Sequence, residues 1–136
     1  MFGFLTAFLW EMWQMSFYAF GGGPYLAVVE TCTLASVGDA VLMVFSYSAV
    51  SVVSRSRFWL LRPTIFQLAI YLIVGLVITV AFEKLATGAS WGWQYSAKMP
   101  YIFGTRVAVV PLLMWVVIPL VTLWLARRQP LRDCQR

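Results

Sequence analysis

The chain has 136 residues, of which 62% are hydrophobic and only 11% charged, and its mean hydropathy is +0.82. Soluble domains run at about 45–50% apolar and about 25% charged, so this balance excludes an ordinary water-soluble domain and predicts a polytopic membrane protein. The net charge of +5 collects at the ends of apolar runs, which excludes a nucleic-acid-binding patch, and the lack of any histidine excludes imidazole acid–base chemistry.

Four apolar segments are expected, since a helix needs about 20 residues to cross ~30 Å of hydrocarbon. The first covers residues 3–20. No Lys or Arg precedes it and no small-residue cleavage site follows it, so it reads as a retained span rather than a signal peptide. The second, 25–53, follows Gly21-Gly22-Gly23-Pro24, where the chain can reverse and where Pro24 suits a first helical turn. Arg55, Arg57 and Arg62 mark the next connection, and the third segment covers 64–86. A polar-aromatic stretch, 87–103, then carries Trp91, Trp93, Tyr95 and Tyr101. Such rings suit a membrane–water interface; the alternative is a lid over a hydrophobic ligand. The fourth segment, 104–126, holds Pro111 and Pro119 on either side of Trp115, which predicts a kinked helix or a bend that makes room for a ligand. A basic tail, 127–136, follows.

The expected fold is therefore all-α: an integral membrane four-helix bundle in a single domain. With the 55–62 connection and the tail on one side, that side holds seven Lys/Arg; the other holds Lys84, Lys98 and Arg106. The positive-inside bias then puts both termini in the cytoplasm. If the first segment lies flat, the N-terminus moves outside and three spans remain. Cys32 lies in an apolar segment and Cys134 in the tail, so an intrachain disulfide is not expected. With no histidine and no clustered cysteines, neither metal nor cofactor is expected.

The polar residues inside the spans carry the functional question, because an ionisable group at the bilayer centre costs about 2.5–3.5 kcal/mol. Glu11, Glu30, Asp39 and Glu83 are the four candidates. Glu11, Gln14 and Tyr18 stand at i, i+3 and i+7 and share a helix face; Gly75, Thr79 and Glu83 stand at i, i+4 and i+8. Glu30 and Asp39 are nine residues apart, about half a revolution at 3.6 residues per turn, so they cannot face one narrow site. Asp39 instead shares a stripe with Cys32, Ser36, Met43 and Ser46, among small residues that allow close helix approach. Glu83 and Glu30 are open to a bland reading, paired with Lys84 or Arg106 near the surface. Glu11 is too deep for that and needs a proton or a partner. The convergence predicts one polar pocket in the outer half of the bundle that opens outward, with Trp91, Trp93, Arg106 and Trp115 beside it.

The segments "WEMWQMSFY", "ASVGDA", "FEKLAT", "WQYSAKMP" and "PLLMWVVIPL" together resemble a group of small bacterial four-span membrane proteins of unassigned function. That resemblance implies the four-span architecture and a bacterial inner (cytoplasmic) membrane. A looser likeness runs to membrane lycopene cyclases and sterol isomerases, which are also compact helical bundles with intramembrane glutamates and tryptophans. The paired glutamates that follow a proline in those cyclases are replaced here by Leu112 and Leu113 after Pro111, and the isomerases' histidine is missing. No catalytic residue is carried over.

Three functions fit. The favoured one is an accessory subunit or a binder of a lipid-like ligand. Its partners would be membrane lipids, other membrane subunits or a hydrophobic small molecule, and not nucleic acid. The second is an enzyme acting on an isoprenoid, carotenoid or sterol-like lipid, with Glu11, Glu30 and Glu83 as the acid–base set. The third is a proton-coupled carrier that uses the same carboxylates as a relay.

Overall fold

The computed structural model describes residues 1–19, 24–87, 89–90, 92–105 and 107–129, and the backbone of 130–133. Four helices carry the fold: α1 (Phe2–Gln14), α2 (Tyr25–Val53), α3 (Ile65–Ala86) and α4 (Val109–Asp133). Short 3-10 turns follow α1 at Met15–Phe17 and precede α3 at Trp59–Leu61. Neighbours pack in chain order and close a ring: α1 on α2, α2 on α3, α3 on α4, and α4 back on α1.

Three helices are long and apolar enough to cross a membrane: α2, α3 and residues Val109–Gln129 of α4. These support a membrane protein. The expected first span is helical only to Gln14, and its 13 residues reach about 20 Å at 1.5 Å per residue. By contrast, α2 has 29 residues, about 44 Å, and overreaches the hydrocarbon.

Local chemistry explains the helix boundaries. Pro24 is extended and stands just before α2, one position earlier than the first turn. At the other end, Ser56 N–H donates to the Ser51 carbonyl (3.1 Å) and Arg55 N–H to that of Val52 (3.2 Å). That pair of bonds is a Schellman cap, and it holds Arg55 in the left-handed region at φ 50°. Thr64 and Gln67 form a reciprocal capping box that starts α3. α4 begins at Val109, later than the apolar pattern suggests, because a hairpin uses the preceding residues. Ile102 N–H donates to the Val107 carbonyl, Val109 N–H to that of Pro100, and Gly104 turns the chain at φ 75°. Pro111 consequently falls in the first turn of α4, where its missing N–H deprives no carbonyl. Pro119 and Pro130 interrupt the ladder, and the helix continues through both.

Register follows from a few contacts. The position a Gly3 Cβ would occupy is 3.3 Å from Met43 Sδ and 3.7 Å from Thr122 Cγ2. The Thr6 and Thr122 hydroxyls bond at 2.8 Å, and Cys32 Sγ lies 3.8 Å from the Glu11 carbonyl oxygen. Hence α1 runs antiparallel to both α2 and α4.

The basic end of the bundle is closed by aromatic packing. Trp59 sits against Tyr47 (5.0 Å between ring centres) and Tyr71 (5.9 Å), in a cluster with Val50 and Leu123. Tyr47 Oη donates to the Arg57 carbonyl at 2.6 Å and ties the arginine-bearing connection to α2. The opposite end is covered by the 87–108 connection. It joins the end of α1 through Ala19 N–H to the Gln94 carbonyl and Ser96 N–H to that of Phe17, both 2.9 Å.

Candidate functional site

Beneath that connection, remote from the arginine clusters, lies a cavity of ≈ 410 Å³. Every helix contributes to it. From α1 and the turn after it come Glu11, Gln14 and Tyr18; from α2, Asp39; from α3, Glu83; from α4, Trp115; from the connection, Trp93. These are seven of the residues singled out by sequence. The remaining walls are mainly apolar or small, among them Ala35, Leu42, Phe82 and Met114.

Helical spacing delivers the α1 group as expected. Glu11 and Gln14 are one turn apart, and Gln14, only 2% exposed, is held by three side chains. Trp10 Nε1 donates to Gln14 Oε1 at 2.8 Å; Gln14 Nε2 donates to Glu11 Oε1 at 2.7 Å and reaches Tyr18 Oη at 3.5 Å. Tyr18 lies beyond the helix, yet the 3-10 turn keeps it on the same side.

From Tyr18 the network crosses to the connection. The Tyr18 and Tyr95 rings are 5.0 Å apart, and Tyr18 Oη donates to Tyr95 Oη. Tyr95 Oη in turn donates to Glu83 Oε2 and accepts from Trp93 Nε1 at 3.0 Å. Burial, followed by the bond to Glu83, pushes the Tyr95 phenol above its ordinary range, so it stays a neutral donor at physiological pH. A continuous hydrogen-bonded chain therefore joins two carboxyls inside the bundle, Glu11 and Glu83. All its donors point outward from Gln14, and the chain ends on an acceptor at each carboxyl.

Glu83 corrects one expectation. It does not pair with Lys84 at the surface. It is 4% exposed and turned into the bundle, whereas Lys84 is exposed. The stripe Gly75, Thr79, Glu83 is buried throughout. Trp115 packs into the notch at Gly75, where a Cβ would lie 2.2 Å from Cε3 of the ring.

Asp39 faces the cavity from the opposite wall and is close enough to Glu11 for their charges to interact. Among the described residues it has no hydrogen-bond partner. Its predicted stripe partners Cys32, Ser36, Met43 and Ser46 are all buried. Thr79 also lines the cavity; it is 9% exposed, and its hydroxyl has no partner among the described residues. Glu30 is not brought to the site. It lies on an exposed face of α2, as the half-revolution from Asp39 requires. Trp91 and Arg106 fall outside the described residues.

Thr31 and Gly38 on α2 and Phe82 on α3 line the cavity and are nonetheless exposed, Phe82 at 53%. They place its opening at the side, between α2 and α3. Among the described residues no three His, Cys, Asp or Glu side chains are grouped to hold a metal ion. The sequence reading missed Tyr95 as a site residue and left Thr79 as a stripe member only. Tyr95 had one signal, the run "WQY" beside Trp93.

Comparison with protein-family models, curated proteins and solved structures finds no match. The chemistry of the cavity is what bears on function.

Proposed function

We propose that this chain is an integral membrane protein that holds a lipid-like ligand in the cavity below the 87–108 connection. The observation that carries the reading is the cavity itself: ≈ 410 Å³, with mainly apolar walls, and presenting the carboxyls of Glu11, Asp39 and Glu83. Pockets that take small molecules are apolar with a few convergent polar groups. Its side opening supports entry from the bilayer. The test is purification in native lipid followed by mass spectrometry of whatever is retained. Gly38→Phe is the matched control, because Gly38 lines the exposed opening and a Cβ there meets no atom within 4 Å, so a ring is expected to obstruct entry without displacing backbone. A lipid-like molecule retained by the wild type and lost from Gly38→Phe is the expected result. Equal retention, or none in either, refutes the reading.

The reading includes four crossings with both termini in the cytoplasm, in a bacterial inner membrane. Support for the fourth crossing comes from the neighbours of residues 1–18. Met1 lies around a second, smaller cavity with Tyr47 and Ala126, while Phe17 and Tyr18 pack on Ala108 and Val110. The segment thus runs beside 109–126 of α4, about 26 Å at 1.5 Å per residue, close to the hydrocarbon thickness.

A second reading, an enzyme working on an isoprenoid, carotenoid or sterol-like lipid, is favoured by the hydrogen-bonded chain. Two carboxyls that face one cavity and are held by one hydrogen-bonded chain of neutral donors are the equipment of acid–base catalysis. Conversion of the retained lipid by wild type but not by Glu83→Gln is the outcome that would select it.

A further inference from the structure

The cavity holds three carboxyls, and no Lys or Arg is among its described lining residues. Carboxylates removed from water need a counter-charge or a proton. Glu11 and Glu83 are served by the network described above, but that network supplies neutral donors only. Asp39 has no donor at all among the described residues, and the nine-tenths-buried Thr79 hydroxyl is unpartnered on the same cavity. These two groups are left for whatever enters. The other conspicuous lining is aromatic: Tyr18, Phe82, Trp93 and Trp115.

An anionic ligand would meet carboxyls on three walls. A wholly apolar ligand would leave Asp39 and Thr79 buried beneath it without partners, which costs free energy for each group. A cation with an apolar body answers the carboxyls with a counter-charge and the Thr79 oxygen with an ion–dipole contact, since a quaternary ammonium carries no N–H. Its charge meets Asp39 and Glu11, its substituents lie on ring faces that attract cations, and its apolar part fills the remaining volume. We infer that the ligand is a lipophilic organic cation, a tertiary amine or quaternary ammonium, whose charged centre sits at Asp39 with Thr79 beside it. The inference rests on the ligand-binding reading and narrows it.

The test compares benzyldimethyldodecylammonium with its uncharged isostere, in which carbon replaces nitrogen. The protein is reconstituted in phosphatidylcholine nanodiscs, binding is followed by tryptophan fluorescence, and empty discs correct for partition. The cation is expected to bind at least about tenfold more tightly than the isostere, the preference that one desolvated charge contact with Asp39 supplies. Asp39→Asn is expected to erase most of that preference while leaving isostere binding unchanged, and Thr79→Val to weaken it. The wild-type comparison stands alone if Asp39→Asn does not fold. Equal affinity for the two probes overturns the cation inference and leaves the ligand-binding reading intact. Binding of neither probe also overturns it; the ligand-binding reading then falls too if no lipid is retained on native purification.

Discussion

Glu11 accepts one hydrogen bond from Gln14 Nε2 and faces a mainly apolar cavity. Glu11→Gln keeps an acceptor oxygen at that place and is expected to leave stability within about 1 kcal/mol of wild type. Glu11→Lys sets an ammonium against the donating amide of Gln14 and is expected to cost about 3 kcal/mol, the scale of a charge buried in a membrane helix. Thermal unfolding in detergent separates the two, and equal melting of Glu11→Lys and wild type would show that Glu11 is not buried. Tyr95→Phe removes the donor to Glu83 and the acceptor for Trp93 Nε1, and is expected to cost about 1–3 kcal/mol through the orphaned carboxyl. The same melting experiment checks it. The two residues also mark how far sequence reasoning reaches. Glu11, Gln14 and Tyr18 were legible because helical spacing puts them on one face. Tyr95 was not, because it comes from an irregular connection, where no period says which way a side chain turns.

At the scale of elements, two glycines that look alike in sequence behave differently. Gly75 is the notch that receives Trp115, so Gly75→Ala is expected to destabilise by about 1–3 kcal/mol through overpacking. Gly38 lies mid-helix with open space where its Cβ would be, so Gly38→Ala is expected to stabilise α2 by up to about 1 kcal/mol. Paired melting curves decide, and a shared sign would contradict the packing described. The long helices α2 and α3 were legible to within a residue, because an apolar run bounded by Pro24, by arginines and by the Thr64–Gln67 cap has few alternatives. The C-terminal end of α1 and the start of α4 were not. Residues 15–17 are apolar enough to pass for helix, but a 3-10 turn takes them, and a hairpin bonded from Ile102 to Val107 and from Val109 to Pro100 delays α4. A hydropathy pattern measures affinity for lipid and is blind to that choice.

For the whole molecule, the number of crossings decides the side of the N-terminus. Four crossings put N- and C-terminal reporters on the same, cytoplasmic side, as the excess of seven Lys/Arg over three predicts. Reporters on opposite sides would leave α1 as a segment that enters without crossing. The location of the cavity was legible as a convergence of acids away from the arginines; its sideways opening was not, since that depends on how far α2 and α3 part beyond their aromatic seam at Tyr47, Trp59 and Tyr71.

That opening has a consequence for how occupancy should be measured. On the proposed reading, a ligand would reach a gap bounded by Thr31, Gly38 and Phe82 from solution in the bilayer rather than from the surrounding water. A strongly partitioning compound will saturate the protein at very low aqueous levels. Its apparent Kd, written as total concentration added, would then drift upward as more lipid is added at constant protein, while the value expressed as mole fraction in the membrane stays constant.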